Sequence, residues 1–222
     1  MIALTGLPIC NMVDPPTNNG QVALGTIGGI VNGTDNKNYL ITCYHCIYNH
    51  NLNFDDFQPD GVNNLVKTVI SGSFQPLGTV TFAIRTAKAD LALIQVNDGF
   101  LDSVNFPGAG VKMRDPALNN NDSLKVHLVK NGNMTGNTSG MFQCISNDIT
   151  GAYIDTIGDF SFSELVKVDG LGGPFAVEGD SGSLIMDDNK KLCGMIVLRD
   201  KLSLAAYGLT TANMQYQVPI IL

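Results

Sequence analysis

The chain is poor in charged residues, and its few basic residues are scattered. Charged residues make up 15% of the 222 residues and hydrophobic residues 44%, whereas about a quarter of an average soluble domain is charged. This composition excludes a disordered chain and indicates a packed core. Thirteen Lys and Arg against twenty Asp and Glu give a net charge of −7. We therefore expect neither nucleic acid nor membrane as a partner.

Long apolar runs are also missing. A membrane-spanning helix needs about 18 consecutive apolar residues, whereas the apolar run at residues 192–198 has only seven. The first ten residues, MIALTGLPIC, carry no basic residue of the kind that opens a secretory signal. The sequence therefore predicts a cytoplasmic protein, secreted only if a signal was removed before residue 1.

The cysteines are odd in number and lack the spacing of a disulfide framework, which favours reduced thiols. They are Cys10, Cys43, Cys46, Cys144 and Cys193. The pair Cys43-x-x-Cys46 has zinc-finger spacing, but a second pair of ligands at such spacing is missing. The sequence therefore predicts no metal and no cofactor.

Long helical periodicity is absent, and about a dozen short apolar or alternating runs recur between Gly, Asn, Asp and Pro clusters. This pattern is typical of an all-β protein. Asn32-Gly33 and Asp188-Asn189 are predicted hairpin turns, because these residues tolerate the positive φ of tight turns.

A segment rich in Pro, Gly and Asn divides these runs into two halves. We predict an N-terminal extension at residues 1–22, a first β-barrel at 23–105, a connection at 106–122 and a second β-barrel at 123–222. Closing each sheet of about six strands into a barrel removes exposed strand edges.

Only three histidines are present, His45, His50 and His127, so a general base that acts near neutral pH must come from these three. His45 ends the apolar run YLITCYH, where a strand passes into a loop, a common place for catalytic groups. His50 lies among asparagines and reads as a solvated loop residue. His127 occupies one position of a predicted strand.

Ser181 lies in the segment EGDSGS, whose small residues allow a tight turn around an exposed hydroxyl. A serine hydroxyl is a weak nucleophile without an imidazole base and an orienting carboxylate. Asp90 opens the apolar run LALIQV, where an unpartnered carboxylate is costly. We therefore expect Asp90 to pair with His45.

The order of His45, Asp90 and Ser181 along the chain distinguishes between three protein classes that use a Ser-His-Asp triad. An α/β-hydrolase requires a histidine after the serine, and none follows Ser181. A subtilisin requires the acid before the histidine, where only Asp14 and Asp35 are available. It also requires a parallel α/β sheet, whose helical crossovers this sequence does not predict. The order matches the chymotrypsin arrangement, with His and Asp from one barrel and Ser from the other.

The motifs TCYHC (42–46), ADLAL (89–93) and GDSGS (179–183) resemble those of the trypsin/chymotrypsin-like serine peptidases, in particular compact bacterial members without disulfides. The resemblance spans about residues 24–212. It implies two Greek-key antiparallel β-barrels with the active site in the cleft between them. It also implies a serine endopeptidase that forms an acyl-enzyme through His45, Asp90 and Ser181.

The resemblance implies further roles. The amides of Gly179 and Ser181 would form the oxyanion hole. In a departure from the family's activated digestive members, we expect Asp180 to be satisfied by hydrogen bonds rather than by a newly cleaved N-terminus. Phe175 would lie at the base of the specificity pocket, which disfavours a preference for Lys or Arg. The full set of predicted substrate-binding residues is Phe175, Ala176, Val197, Leu198 and Arg199.

Two interpretations stay open beside an active protease that acts on polypeptides. The chain could be a peptidase-like peptide-binding module, or a latent protease that needs a regulatory partner or belongs to a larger parent chain. Arg199 and Lys201 could also attract an acidic substrate side chain instead of an apolar one.

Overall fold

A computed structural model describes most of the chain. The described residues are 5–12, 17–18, 21–22, 24–48, 64–97, 100, 110–152 and 159–222. In this part of the chain, no helix is long and apolar enough to span a membrane.

The first half and residues 220–221 together form an antiparallel sheet of eight strands in the order β18-β5-β6-β9-β8-β7-β1-β4. Its strands are β1 (Pro8–Asn11), β4 (Gly25–Thr26), β5 (Gly29–Gly33), β6 (Asn38–Thr42), β7 (Leu65–Ile70), β8 (Ser73–Arg85), β9 (Asp90–Val96) and β18 (Ile220–Ile221). The strand β4 at one end of this order lies only two residues before β5 near the other end, so the sheet curls back toward itself.

The second half forms a closed six-stranded barrel in the order β10-β11-β14-β17-β16-β15. Its strands are β10 (His127–Gly132), β11 (Gly136–Ser146), β14 (Leu165–Gly170), β15 (Leu184–Asp187), β16 (Leu192–Arg199) and β17 (Ala205–Thr210). Two small hairpins complete the strands, β2 (Thr17–Asn18) with β3 (Gln21–Val22) and β12 (Ile149–Ala152) with β13 (Asp159–Phe162).

The described helical segments are short. The helix α1 (Thr211–Gln215) follows β17, and the hydroxyl of Thr210 caps it by accepting a hydrogen bond from the Asn213 amide. Two 3₁₀ turns occupy Tyr44–Cys46 and Asn120–Asp122.

The two halves share a core. One cluster of buried side chains joins residues of the curled sheet, such as Leu40 and Ile41, to Leu184, Met195 and Val197 of the barrel. A second cluster fills the barrel interior. The predicted all-β architecture of two antiparallel barrels is confirmed, with the first barrel present as a curled sheet.

The ends of the chain join the first sheet. In the predicted N-terminal extension, residues 9–11 pair with β7 and residues 8–9 pair with β4. Residues 220–221 of the predicted second-barrel range pair with β5. One edge strand, β18, and the strand next to the other edge, β1, therefore come from outside residues 23–105.

Candidate active site

His45 lies directly after the end of a central strand. β6 ends at Thr42, and the chain then makes a 3₁₀ turn in which the Cys46 amide donates to the Cys43 carbonyl at 3.2 Å. Tyr44, the first residue of this turn, is fully buried. The turn leaves His45 9% exposed, so its ring is held by packing while part of its edge meets solvent.

Asp90 lies beside His45 because β9 pairs with β6, with Ala92 opposite Thr42. The His45 backbone amide donates to Asp90 Oδ1 at 3.1 Å, and His45 Nδ1 lies 2.5 Å from Asp90 Oδ2. Asp90 is fully buried. Both carboxylate oxygens therefore fix the histidine, one through its backbone and one through its ring, as the sequence predicted.

The imidazole and the neighbouring thiol perturb each other. Burial alone lowers the pKa of His45, but the charges of Cys46 and Asp90 outweigh it and raise that pKa well above 6.5. Burial alone raises the pKa of Cys46, but a hydrogen bond from Cys43 and the charge of His45 lower it from 9.0 to about 6. The raised pKa favours the positively charged form of His45, and the lowered pKa favours the negatively charged form of Cys46.

Ser181 follows a tight turn. The Asp180 amide donates to the Val177 carbonyl at 3.1 Å, and the third residue of this turn, Gly179, has φ +95°. A positive φ at this position is required by a type II turn and suits glycine. The Ser181 hydroxyl donates to the Val197 carbonyl at 3.4 Å.

Thr26 of the first sheet holds the Ser181 segment in place. Its amide donates to the Ser181 carbonyl at 2.8 Å, and its hydroxyl donates to the Gly179 carbonyl at 2.8 Å. The next glycine, Gly182, has φ +94°, and a Cβ there would collide with the Thr26 carbonyl oxygen and the Thr42 hydroxyl. Only glycine therefore allows the two halves to approach this closely.

A buried ion pair lies under the same turn. Lys130 Nζ and Asp180 Oδ2 are 3.1 Å apart, and both side chains are fully enclosed. Asp180 also accepts hydrogen bonds from the amides of Val177, Met134 and Thr135 and from the Thr135 hydroxyl, at 2.7–3.2 Å. Asp180 is thus satisfied within the fold.

The charges of this pair depend on its surroundings. Burial alone raises the pKa of Asp180, but the Val177 amide, the Thr135 hydroxyl and the Lys130 ammonium together lower it below 3.8. Burial lowers the pKa of Lys130 below 10.5, against the opposing effect of Asp180.

The predicted substrate-binding residues have different environments. Phe175 and Ala176 are buried in the core of the second barrel. Val197 supplies the carbonyl that contacts the Ser181 hydroxyl. Leu198 is half-buried, and Arg199 reaches Glu178 at 3.9 Å on the surface. Val197 and Arg199 therefore lie beside the Ser181 segment, while the pocket role of Phe175 stays a prediction.

Among the described residues, His45 is the histidine that contacts Asp90. His50 lies outside the described residues. His127 lies on β10, where its Nδ1 contacts Asp188 Oδ1 at 2.6 Å. All five cysteines are free thiols.

Several bacterial proteases share this architecture across nearly the whole chain. A Nocardiopsis protease covers 98% of the chain and 96% of its own length at a TM-score of 0.58 and 14% identity. Thermobifida fusca protease A covers 98% of the chain and 97% of its own length, at a TM-score of 0.57 and 15% identity. Cellulomonas bogoriensis chymotrypsin covers 94% of the chain and 96% of its own length, at a TM-score of 0.53 and 17% identity. The chain has a chymotrypsin-like serine protease fold. No protein-family model matches the sequence, and no curated protein does.

Within the chymotrypsin-like fold, two residues that support the Ser181 segment escaped the sequence analysis. Lys130 had a visible signal, since it is a charged residue directly after the apolar pair Leu128 and Val129 of β10, and it is 2% exposed. Thr26 had none, because its role depends on contacts with residues more than 150 positions away.

Proposed function

We propose that this chain is a serine endopeptidase in which Ser181 is the nucleophile, His45 the general base and Asp90 the residue that orients the base. The observation that carries the proposal is the double hold of Asp90 on His45, at 3.1 Å and 2.5 Å. A carboxylate in this position fixes the imidazole tautomer and stabilises the imidazolium formed during acyl transfer.

The proton transfer follows from the ring orientation. Because Nδ1 faces Asp90, Nε2 is the nitrogen that would take the proton from the Ser181 hydroxyl. Ser181 Oγ would then form a bond to the carbonyl carbon of a peptide, and His45 would return the proton to the leaving amine. Water would hydrolyse the acyl-enzyme by the same route.

The turn at Gly179 supports an oxyanion hole. The amides of Gly179 and Ser181 flank Asp180, whose carboxylate is fixed by Lys130 and four further hydrogen bonds. Donors held in advance of the reaction stabilise the developing oxyanion, and removing one such donor in a protease costs about 2.7–4 kcal/mol. The rigid support under this turn is therefore part of the proposed chemistry.

The substrate is proposed to be a polypeptide with an apolar side chain before the scissile bond. Phe175 and Ala176 offer no carboxylate to a Lys or Arg side chain. Arg199 is an alternative partner for an acidic side chain, although Glu178 already lies 3.9 Å from it. Profiling with a peptide library tests this preference, and cleavage mainly after Lys or Arg would contradict it.

A latent protease or a peptide-binding module is the alternative, and one contact favours it. The Ser181 hydroxyl donates to the Val197 carbonyl, so attack requires this hydroxyl to turn toward the imidazole. At 3.4 Å this hydrogen bond is long and weak, and a small rotation would break it.

Covalent labelling with a fluorophosphonate separates the two functions. We expect the folded protein to be labelled and Ser181→Ala to be unlabelled. Absence of labelling in well-folded protein would support the latent form or the binding module. Hydrolysis of a casein substrate by the wild type, reduced about a million-fold in Ser181→Ala, would establish peptidase activity.

A further inference from the structure

Three metal-ligating side chains lie together beside the proposed triad. Cys43, His45 and Cys46 each contribute one donor atom, and these three atoms lie within 4.8 Å of one another. The 3₁₀ turn accounts for this, because it brings residues three apart to the same side of the chain. We refer to these residues as the Cys-His-Cys cluster.

We propose that the Cys-His-Cys cluster binds a soft divalent metal ion such as Zn²⁺, and that the bound ion blocks the peptidase. Thiolate and imidazole are the ligands that zinc takes in proteins, and two Cys with one His leave a fourth position for water. Mg²⁺ and Ca²⁺ prefer oxygen ligands and are not expected here. The inhibition rests on the proposed function, whereas the metal binding does not.

The geometry is close to that of a zinc site. Tetrahedral zinc with Zn–S bonds of about 2.3 Å holds two sulfurs about 3.8 Å apart. The present donor atoms, all within 4.8 Å of one another, therefore need at most about 1 Å of adjustment. Cys43 Sγ now donates to the Ile196 carbonyl at 3.2 Å, and Cys46 Sγ to the Ser181 carbonyl at 3.5 Å. Both sulfurs would bind as thiolates, the form that binds metal, and any proton that a thiol still carries would pass to solvent.

Asp90 supplies the outer support that such a site requires. Metal-binding histidines usually donate their second ring N–H to a carboxylate, which fixes the ring for the metal. Here Asp90 Oδ2 contacts Nδ1 at 2.5 Å and leaves Nε2 for the ion. Nε2 is also the atom proposed to take the Ser181 proton, so metal binding and catalysis exclude each other.

The site retains a route to solvent. His45 is 9% exposed and Cys46 4%, whereas Cys43 is fully buried. Cys46 Sγ contacts the carbonyl of Ser181, which is itself half-buried. An ion would therefore enter through the active-site cleft, and a bound peptide would compete with it.

Cobalt binding tests the site without needing activity. Ser181→Ala protein, kept reduced with a phosphine, is titrated with Co²⁺ and followed by absorption. We expect one Co²⁺ per chain with intense sulfur-to-cobalt charge-transfer bands that Zn²⁺ abolishes. Adding Cys43→Ser or Cys46→Ser should remove the bands, whereas Cys144→Ser, on β11 of the second barrel, should keep them.

Each result decides the proposal. Charge-transfer bands that are absent in folded Ser181→Ala, or unchanged in both cluster variants, would overturn the metal site. With the wild type, saturating Zn²⁺ should reduce peptide hydrolysis at least tenfold, and a chelator should restore it. Cys46→Ser should need at least tenfold more Zn²⁺ for half-inhibition, measured against its own metal-free rate. Zinc bound at the cluster with hydrolysis unchanged would refute the inhibition alone.

Discussion

Replacing Lys130 by methionine removes the cation from a fully enclosed carboxylate beneath the Ser181 segment. Both side chains of the Lys130–Asp180 pair have no exposed surface. Methionine keeps most of the volume and removes the charge, so the variant tests the electrostatic role of Lys130 rather than packing.

The expected loss follows from what Asp180 retains. Removing one partner of a buried ion pair typically costs about 3–5 kcal/mol, because the remaining charge is buried without compensation. Asp180 keeps four hydrogen bonds from Val177, Met134 and Thr135, so we expect the lower end, about 3 kcal/mol. For a chain of this size, that corresponds to a decrease in Tm of about 6–12 °C.

Urea unfolding and steady-state kinetics measure this effect. The matched control is Lys37→Met, since Lys37 and Asp35 form an ion pair at 3.7 Å whose side chains are 62% and 45% exposed. Such pairs contribute about 0–1 kcal/mol. We also expect kcat of Lys130→Met to fall more than KM changes, because the amides beside Asp180 would lose their fixed position. An unfolding free energy of Lys130→Met within about 1 kcal/mol of the wild type would refute the reasoning.

Three further perturbations test the same region. Thr26→Val removes the hydroxyl that donates to the Gly179 carbonyl and should cost about 1–3 kcal/mol in urea unfolding and lower kcat; a wild-type kcat would contradict this role. Gly182→Ala should destabilise more than Gly72→Ala, because both have positive φ but a Cβ at Gly72 meets open space; equal losses in thermal unfolding would exclude the collision. The pKa of Asp180 is lower in the folded protein than its ordinary value of 3.8. Ionised Asp180 therefore stabilises the fold at every pH above 3.8, and this stabilisation is lost as the pH falls through the lowered, folded-state pKa. The difference in urea midpoint between wild type and Asp180→Asn should therefore shrink on acidification, and a constant difference would argue against it.

The sequence was informative about strands because short alternating runs reveal a half-buried surface. The apolar run at residues 91–96 lies within β9, and the turn at Asp188-Asn189 joins β15 to β16. The turn predicted at Asn32-Gly33 is wrong: both residues continue β5 and pair with β18, and the chain turns after them, with Asn36 at φ 64°. Pairing with β18, about 190 residues away in sequence, therefore outweighs the turn propensity of Asn32 and Gly33.

The sequence predicts those site residues whose burial without a partner would be unfavourable. A histidine at a strand end and an aspartate at the start of an apolar strand both require partners, and His45 and Asp90 are joined as expected. The sequence predicts no metal at Cys43 and Cys46, because a second pair of ligands at zinc-finger spacing is missing. It does not show that the 3₁₀ turn brings the His45 ring close to both sulfurs.

The pairing of Ile220–Ile221 with Asn32 and Gly33 has a consequence for biosynthesis. Until residue 221 has left the ribosome, the outer edge of β5 carries backbone groups without their final partner. Such an edge can pair with another nascent chain. We therefore expect substitutions at residues 220 and 221 to lower the yield of soluble protein from translation more than they lower the free energy of unfolding of the folded protein.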